Sequence, residues 1–260
     1  MSAQARGDAP AGRARVVRAV AQTVRCELLR LLREPMYVLP TLLFPAAFYA
    51  MFGLVLGGNR GSAEAARYLL ATYGVFGAMG AGLFGCSVTL AIDRERGFFA
   101  LQRALPAPGG AWLVARAAIA LLFSLVIVLE LAALATAFGG VSLPPAQWAQ
   151  LWTVTVLGAL PFCAIGLLLG SVASANAAPA WANVLFLPMA FLSGLWLPLS
   201  MLPDALAQLA PLWPAYHHGQ LALAVLGADA GGAAGGHVAV LATTTVVCAG
   251  LALRRLARVG

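Results

Sequence analysis

The 260-residue chain is 62% hydrophobic and only 10% charged, with a mean hydropathy of +0.88, whereas soluble domains carry roughly 25% charged residues. That excludes a water-soluble globule and leaves little room for a folded aqueous domain. The net charge of +7 does not indicate nucleic acid, because the basic residues flank apolar runs rather than gathering on one face with base-reading partners.

In chain order, residues 1–13 read as a disordered tail. Across 14–34, Val17, Val20, Val24, Leu28 and Leu31 recur every three or four positions, opposite Arg15, Arg18, Gln22, Arg25 and Arg33. This is an amphipathic helix with an arginine face, stopped by Pro35. It runs straight into an apolar segment, so it is expected to lie in the headgroup plane rather than to act as a transit peptide.

Charge-free runs of 25, 25 and 24 residues lie between Glu34 and Arg60, Arg67 and Asp93, and Asp229 and Arg254, and one of 73 separates Glu130 from Asp204. Each exceeds the ~20 apolar residues that cross a hydrocarbon core. An all-α membrane protein with six spans is expected, at about 36–57, 68–92, 112–138, 148–169, 179–197 and 237–253. Pro40 and Pro45 can kink the first span where neighbouring groups re-satisfy freed carbonyls.

The second span carries two ladders of small residues at a spacing of four, Gly74, Ala78, Gly82 and Gly77, Ala81, Gly85. These permit close backbone approach to another helix. The G-x-G-x-x-G string at Gly80, Gly82 and Gly85 follows no strand and sits among apolar residues, so it is not a dinucleotide-binding turn.

A polar segment follows at 93–108, beginning Asp93, Arg94, Glu95, Arg96, Gly97 and ending in Pro106 and Pro108. It reads as a short helix between spans. The third span holds one acid, Glu130, about 24 Å along the helix from Val114 at ~1.5 Å per residue. An intramembrane carboxylate suggests function by default, although packing through a hydroxyl or backbone neighbour is an equally available role. The fourth span contains Pro161. Beyond the fifth, Pro203, Pro211 and Pro214 cut the pattern into pieces too short to cross a bilayer, and these are expected to dip in from one side as re-entrant helices under protein cover.

Six spans put both termini on one side. With that side cytoplasmic, fourteen of the sixteen arginines lie inside and only Arg60 and Arg67 outside, in keeping with the excess of basic residues in cytoplasmic loops.

Every basic residue is arginine, and the chain contains no lysine. A P-loop requires a lysine to reach the terminal phosphates, so ATP-driven transport would need a nucleotide-binding partner. Cys26, Cys86, Cys163 and Cys248 show no paired spacing and read as apolar fillers. His217 and His218 are adjacent, unlike the i, i+4 pair of a metal-binding helix. With Trp213 and Tyr216 they read as interfacial anchors. No catalytic set and no metal site is assigned. An ion-driven carrier or channel using Glu130, and a membrane enzyme using His217 or His218, remain the rival classes.

Four features in this order resemble the ABC transporter type-2 permease family. They are the basic helix ending in LREP (32–35), DRERG (93–97) after the second span, LPAP (105–108), and FLSGLWLPLSMLP (191–203) leading into the proline-broken stretch. The likeness covers about 14–255. It implies a permease of a bacterial exporter, in the cytoplasmic (inner) membrane, paired with a second permease copy as a homo- or heterodimer. ATP and Mg would be held by a separate ABC ATP-binding subunit, and no cofactor by this chain.

By the same resemblance the first helix is a connecting helix, carrying Arg18, Arg25, Arg30 and Arg33. The segment 93–108 is a coupling helix placing Asp93, Arg94, Glu95, Arg96 and Gly97 at the ATPase interface. Phe98 and Phe99 depart from the more polar residues of many relatives. The expected cargo is hydrophobic or amphipathic, such as a drug or lipid.

Overall fold

A computed structural model describes residues 8–55, 63–99, 110–229 and 231–259. All regular structure among them is helical. In chain order the elements are α1 (Asp8–Leu32), α2 (Pro35–Phe48), α3 (Ala63–Glu95), α4 (Ala111–Ala137), α5 (Pro145–Leu157), α6 (Ala159–Val172), α7 (Ala178–Leu192), α8 (Pro214–Val225) and α9 (Ala234–Val259).

The helix at the start begins at Asp8, so residues 8–13 of the expected tail are helical, and residues 1–7 lie outside the described residues. The composition allows this. Pro10 falls in the first turn, where the proline's missing N–H has no intrahelical partner to lose. Arg33 and Glu34 separate α1 from α2, with Pro35 at the start of the new helix. Pro40 and Pro45 lie inside α2, and downstream of them the backbone relaxes into π-helical turns over Tyr49–Val55. Proline removes an i→i−4 bond, which makes such a local change of pitch accessible.

Five helical stretches are long and apolar enough to span a membrane, Pro35–Gly53, Glu64–Glu95, Ala111–Ala137, Pro145–Val172 and Ala234–Arg258. The expected fifth span shortens to α7, whose 15 residues reach only about 23 Å against a ~30 Å core. Gly194, at φ +77°, ends it, a left-handed conformation that glycine adopts at least cost. Short helical turns follow at Leu199–Met201, Asp204–Ala207 and Ala210–Leu212, each opened or interrupted by proline.

The expected fourth span is two helices. Pro161 leaves the carbonyl of Leu157 without its i+4 donor, and the break falls beside it, at Gly158. The imidazole of His218 from α8 occupies the space where a side chain at 158 would start.

The bundle is built around α3, which is largely buried and packs most extensively on α6. A Cβ at Gly82 would stand 2.8 Å from the Ala159 carbonyl and 2.9 Å from the Cys163 nitrogen, and one at Gly166 would stand 2.6 Å from the Leu83 carbonyl. At Gly77 the neighbours are Ile127 at 2.6 Å and Pro45 at 2.9 Å. Gly85 is covered by Tyr37, whose hydroxyl donates to the Ala81 carbonyl at 3.2 Å. Ala78 is fully buried, and Gly74 faces Thr155 at 3.4 Å. The α3–α6 seam therefore depends on small residues from both helices. Gly166 and Gly170 on α6 stand at the same spacing of four, so the sequence held a signal for this seam on α6 as well as on α3.

Toward the other end of the bundle an aromatic cluster fills the interior. Phe48 sits 5.8–6.2 Å by ring centroid from Phe52, Tyr73, Phe76 and Trp196, and Phe186 lies 4.9 Å from Phe76. In contrast, α2 and α9 leave most of their apolar surface outside the bundle, with Leu43, Phe44, Val246 and Val247 each at least half exposed.

Candidate functional site

The charged residues converge where α1, α3, α4, α6 and α9 end or begin. The chain reverses at the polar segment after α3, and this brings the last turn of α3 beside the first turns of α4.

Asp93 lies on the buried face of that last turn, 4% exposed, and its carboxylate bridges two guanidiniums. Arg30 of α1 donates from Nη1 to Oδ1 at 2.7 Å, and Arg116 of α4 pairs through Nη2 with Oδ2. Arg116, 5% exposed, also reaches the hydroxyl of Thr89 one turn back on α3. Thr89 in turn donates to the Gly85 carbonyl at 2.5 Å. Glu27, buried on α1, lies 3.9 Å from Arg30. Buried charges persist when each has a partner of opposite sign and further hydrogen bonds, and the one carboxylate on α3 serves arginines from two other helices.

Arg94 turns the other way and closes the C-terminal end of α6. Its Nη groups donate to the Ser171 carbonyl and, at 2.6 Å, to that of Ala173. Arg255 of α9 adds a bond from Nε to the same Ser171 carbonyl at 3.1 Å. The last carbonyls of a helix lack intrahelical donors and carry partial negative charge, so two guanidiniums are well placed there. Glu95 accepts from the Ala175 N–H at 2.9 Å in the turn between α6 and α7.

Arg96 is exposed, and Gly97, at φ +70°, ends the helix. Phe98 and Phe99 resume helical backbone. The departure at these positions has a packing role, because the Phe99 ring meets Trp112 of α4 edge-on at 5.3 Å. Thus the expected separate helix over 93–108 differs in its first part: Asp93, Arg94 and Glu95 complete α3. An α-helix continues through polar residues as readily as apolar ones when tertiary partners hold them, which hydropathy does not register. Residues 100–109 lie outside the described residues.

On α1, Arg18 and Arg25 are exposed, as is Arg33 in the turn after it, while Arg30 faces inward. The signal for Arg116 was available in the sequence, since a lone arginine inside an apolar stretch requires a nearby acid. Ser171 and Arg255 gave none, because their part is made by a backbone carbonyl and a helix end.

Glu130 is half buried on α4 and has no hydrogen-bond or ion-pair partner among the described residues. His217 and His237 approach through their Nδ1 atoms at 2.8 Å, with His217 Nε2 2.9 Å from the Pro211 carbonyl. His218 is separate, fully buried and stacked on Phe162 at 5.8 Å. Among the described residues no group of three or more His, Cys, Asp or Glu side chains gathers at one point.

The order of these elements can be compared with known proteins. A "Putative transport permease YvfS" of Bacillus subtilis (strain 168) is 29% identical over 198 residues, which cover 74% of this chain and 79% of the relative. A family-wide sequence profile described as "ABC-2 type transporter" matches residues 18–226, from within α1 to just past α8. With five helices of spanning length, the chain belongs to the ABC-2 type transporter family and is a multi-pass membrane subunit of an ABC transporter, a transport component rather than an enzyme.

Proposed function

We propose that this chain is the permease of an ATP-driven exporter in the cytoplasmic membrane, working as a dimer of permeases on separate ATP-binding subunits that hold ATP and Mg. The observation that carries the reading is the wiring of the last turn of α3. Its exposed end, Arg96 and Gly97, adjoins Asp93, Arg94 and Glu95, whose side chains grip α1, α4, α6 and the turn after α6. A partner pressing on that turn would displace several helices at once. The absence of lysine leaves the chain without the phosphate-binding lysine of a P-loop and agrees with a power source outside it.

In this reading α7 and the broken segment through α8 together form the fifth crossing and the re-entrant closure of the outer end, giving six crossings with both termini in the cytoplasm. The arginine-rich end of the bundle is then the inner one. Cargo is hydrophobic or amphipathic, in keeping with an interior lined by aromatic and aliphatic side chains. Glu130 lacks a basic partner among the described residues, as an ion-coupled carrier would not.

The decisive experiment is reconstitution of the purified chain in vesicles with and without its ABC ATP-binding partner. Uphill transport is expected only when the partner and ATP with Mg are both present. Uphill transport by the chain alone, driven by a proton gradient and abolished in Glu130→Gln, would establish the carrier reading instead.

A further inference from the structure

A second basic feature adjoins the wiring at the end of α3 and meets it at Arg255, which shares the Ser171 carbonyl with Arg94. Leu251, Arg254, Arg255 and Arg258 occupy positions i, i+3, i+4 and i+7 of α9, and so share one face of that helix. Across from them stand Leu168 and Val172, one turn apart on α6. Together the six side chains line a cleft of about 470 Å³ between the two helices.

The cleft is chemically divided. Its inner part presents three guanidiniums, of which Arg254 and Arg258 are exposed and have no protein acceptor among the described residues. Arg255 spends only its Nε on Ser171, leaving its Nη pair for another acceptor. The rest of the lining is apolar, with Val172 and Leu251 each left nearly half exposed.

We infer that this cleft binds an anionic phospholipid, the phosphate held by Arg254, Arg255 and Arg258 and an acyl chain lying along Leu168, Val172 and Leu251. Guanidiniums bind phosphate oxygens through paired N–H donors, and basic pockets between membrane helices at the cytoplasmic side suit acidic headgroups. An acidic protein loop would match the arginines but not apolar walls that continue the spanning surface of α9. The headgroup would tie α9 to the C-terminal end of α6 through Arg255 and Ser171. The assignment rests on the membrane orientation proposed above, yet its test is independent of transport: wild-type protein that shows no preference for the anionic lipid while its ATP-driven transport is intact would refute this site alone.

The full-length permease in detergent micelles is titrated with dioleoylphosphatidylglycerol, with dioleoylphosphatidylcholine and with inorganic phosphate, and retained lipid is counted by native mass spectrometry. Wild-type protein is expected to retain the anionic lipid at least about tenfold better than the zwitterionic one, given three arginines near the headgroup. Arg254→Gln/Arg258→Gln should erase that preference. Leu251→Trp, which fills the apolar half and leaves every arginine in place, should also lower retention, and millimolar phosphate should not displace the lipid. Equal retention of the two lipids by wild-type protein overturns the proposal, as does unchanged preference in both variants. Displacement by phosphate would mark a simple anion site. Loss of the copurifying ATP-binding subunit from the Arg254→Gln/Arg258→Gln variant, with lipid preference retained, would mark a protein docking face, and either result refutes the lipid.

Discussion

At the level of single residues, Asp93 carries more of the structure than any other charged group, since two arginines from different helices share its carboxylate. Replacing it by Asn leaves Arg116, 5% exposed, without a counter-charge in a poorly solvated position. Removing one partner of a buried pair costs about 3–5 kcal/mol, so Asp93→Asn should markedly lower the thermal unfolding midpoint in detergent. Asp93→Asn combined with Arg116→Met should regain much of the loss, because no buried cation is then stranded. The same scale separates glycines with different duties. Gly166→Ala pushes a methyl toward the Leu83 carbonyl, 2.6 Å from the new carbon, and should destabilise by about 1–3 kcal/mol as overpacking does. Gly250→Ala meets nothing within 4 Å and should leave the unfolding midpoint unchanged or slightly raised, since alanine is the better helix former.

At the level of elements, the break between α5 and α6 shows how a local signal is completed by a distant one. Pro161 weakens the helix near Leu157, but the bend is occupied by His218, sixty residues further along, whose ring fills the space over Gly158. Gly158→Ala should therefore destabilise the fold, and His218→Ala should relieve that effect. A double-mutant cycle read by thermal unfolding is expected to give a coupling of about 0.5–3 kcal/mol, the range for residues in contact. Additive effects would mean that the imidazole does not seat at the break. A further element, the end of α3, terminates at Gly97 with a positive φ. Any L residue there pays a left-handed penalty of about 1–2 kcal/mol.

For the whole molecule, the consequential property is that the polar end is wired inward while α2 and α9 remain uncovered. Arg96 is exposed and makes no hydrogen bond or ion pair with another side chain among the described residues. Arg96→Ala should accordingly leave the unfolding midpoint of the isolated permease unchanged and lower ATP hydrolysis in the assembled complex. A loss of stability without a change in hydrolysis would place the docking contact elsewhere.

The sequence by itself determined the membrane character and the helical class, because burial in hydrocarbon demands extended apolar runs and saturated backbone hydrogen bonds, both written in consecutive residues. The small-residue ladder of α3 was visible for the same reason: a spacing of four is a local property. The partners of Asp93, Arg94 and Arg116, the seating of Gly166 and Gly170 of α6 against α3, the continuation of α3 through Glu95 and the seat of His218 at Gly158 were decided only by the tertiary structure. Each joins residues far apart in the chain, and a run of charges looks the same in sequence whether its side chains face water, a partner protein or one another.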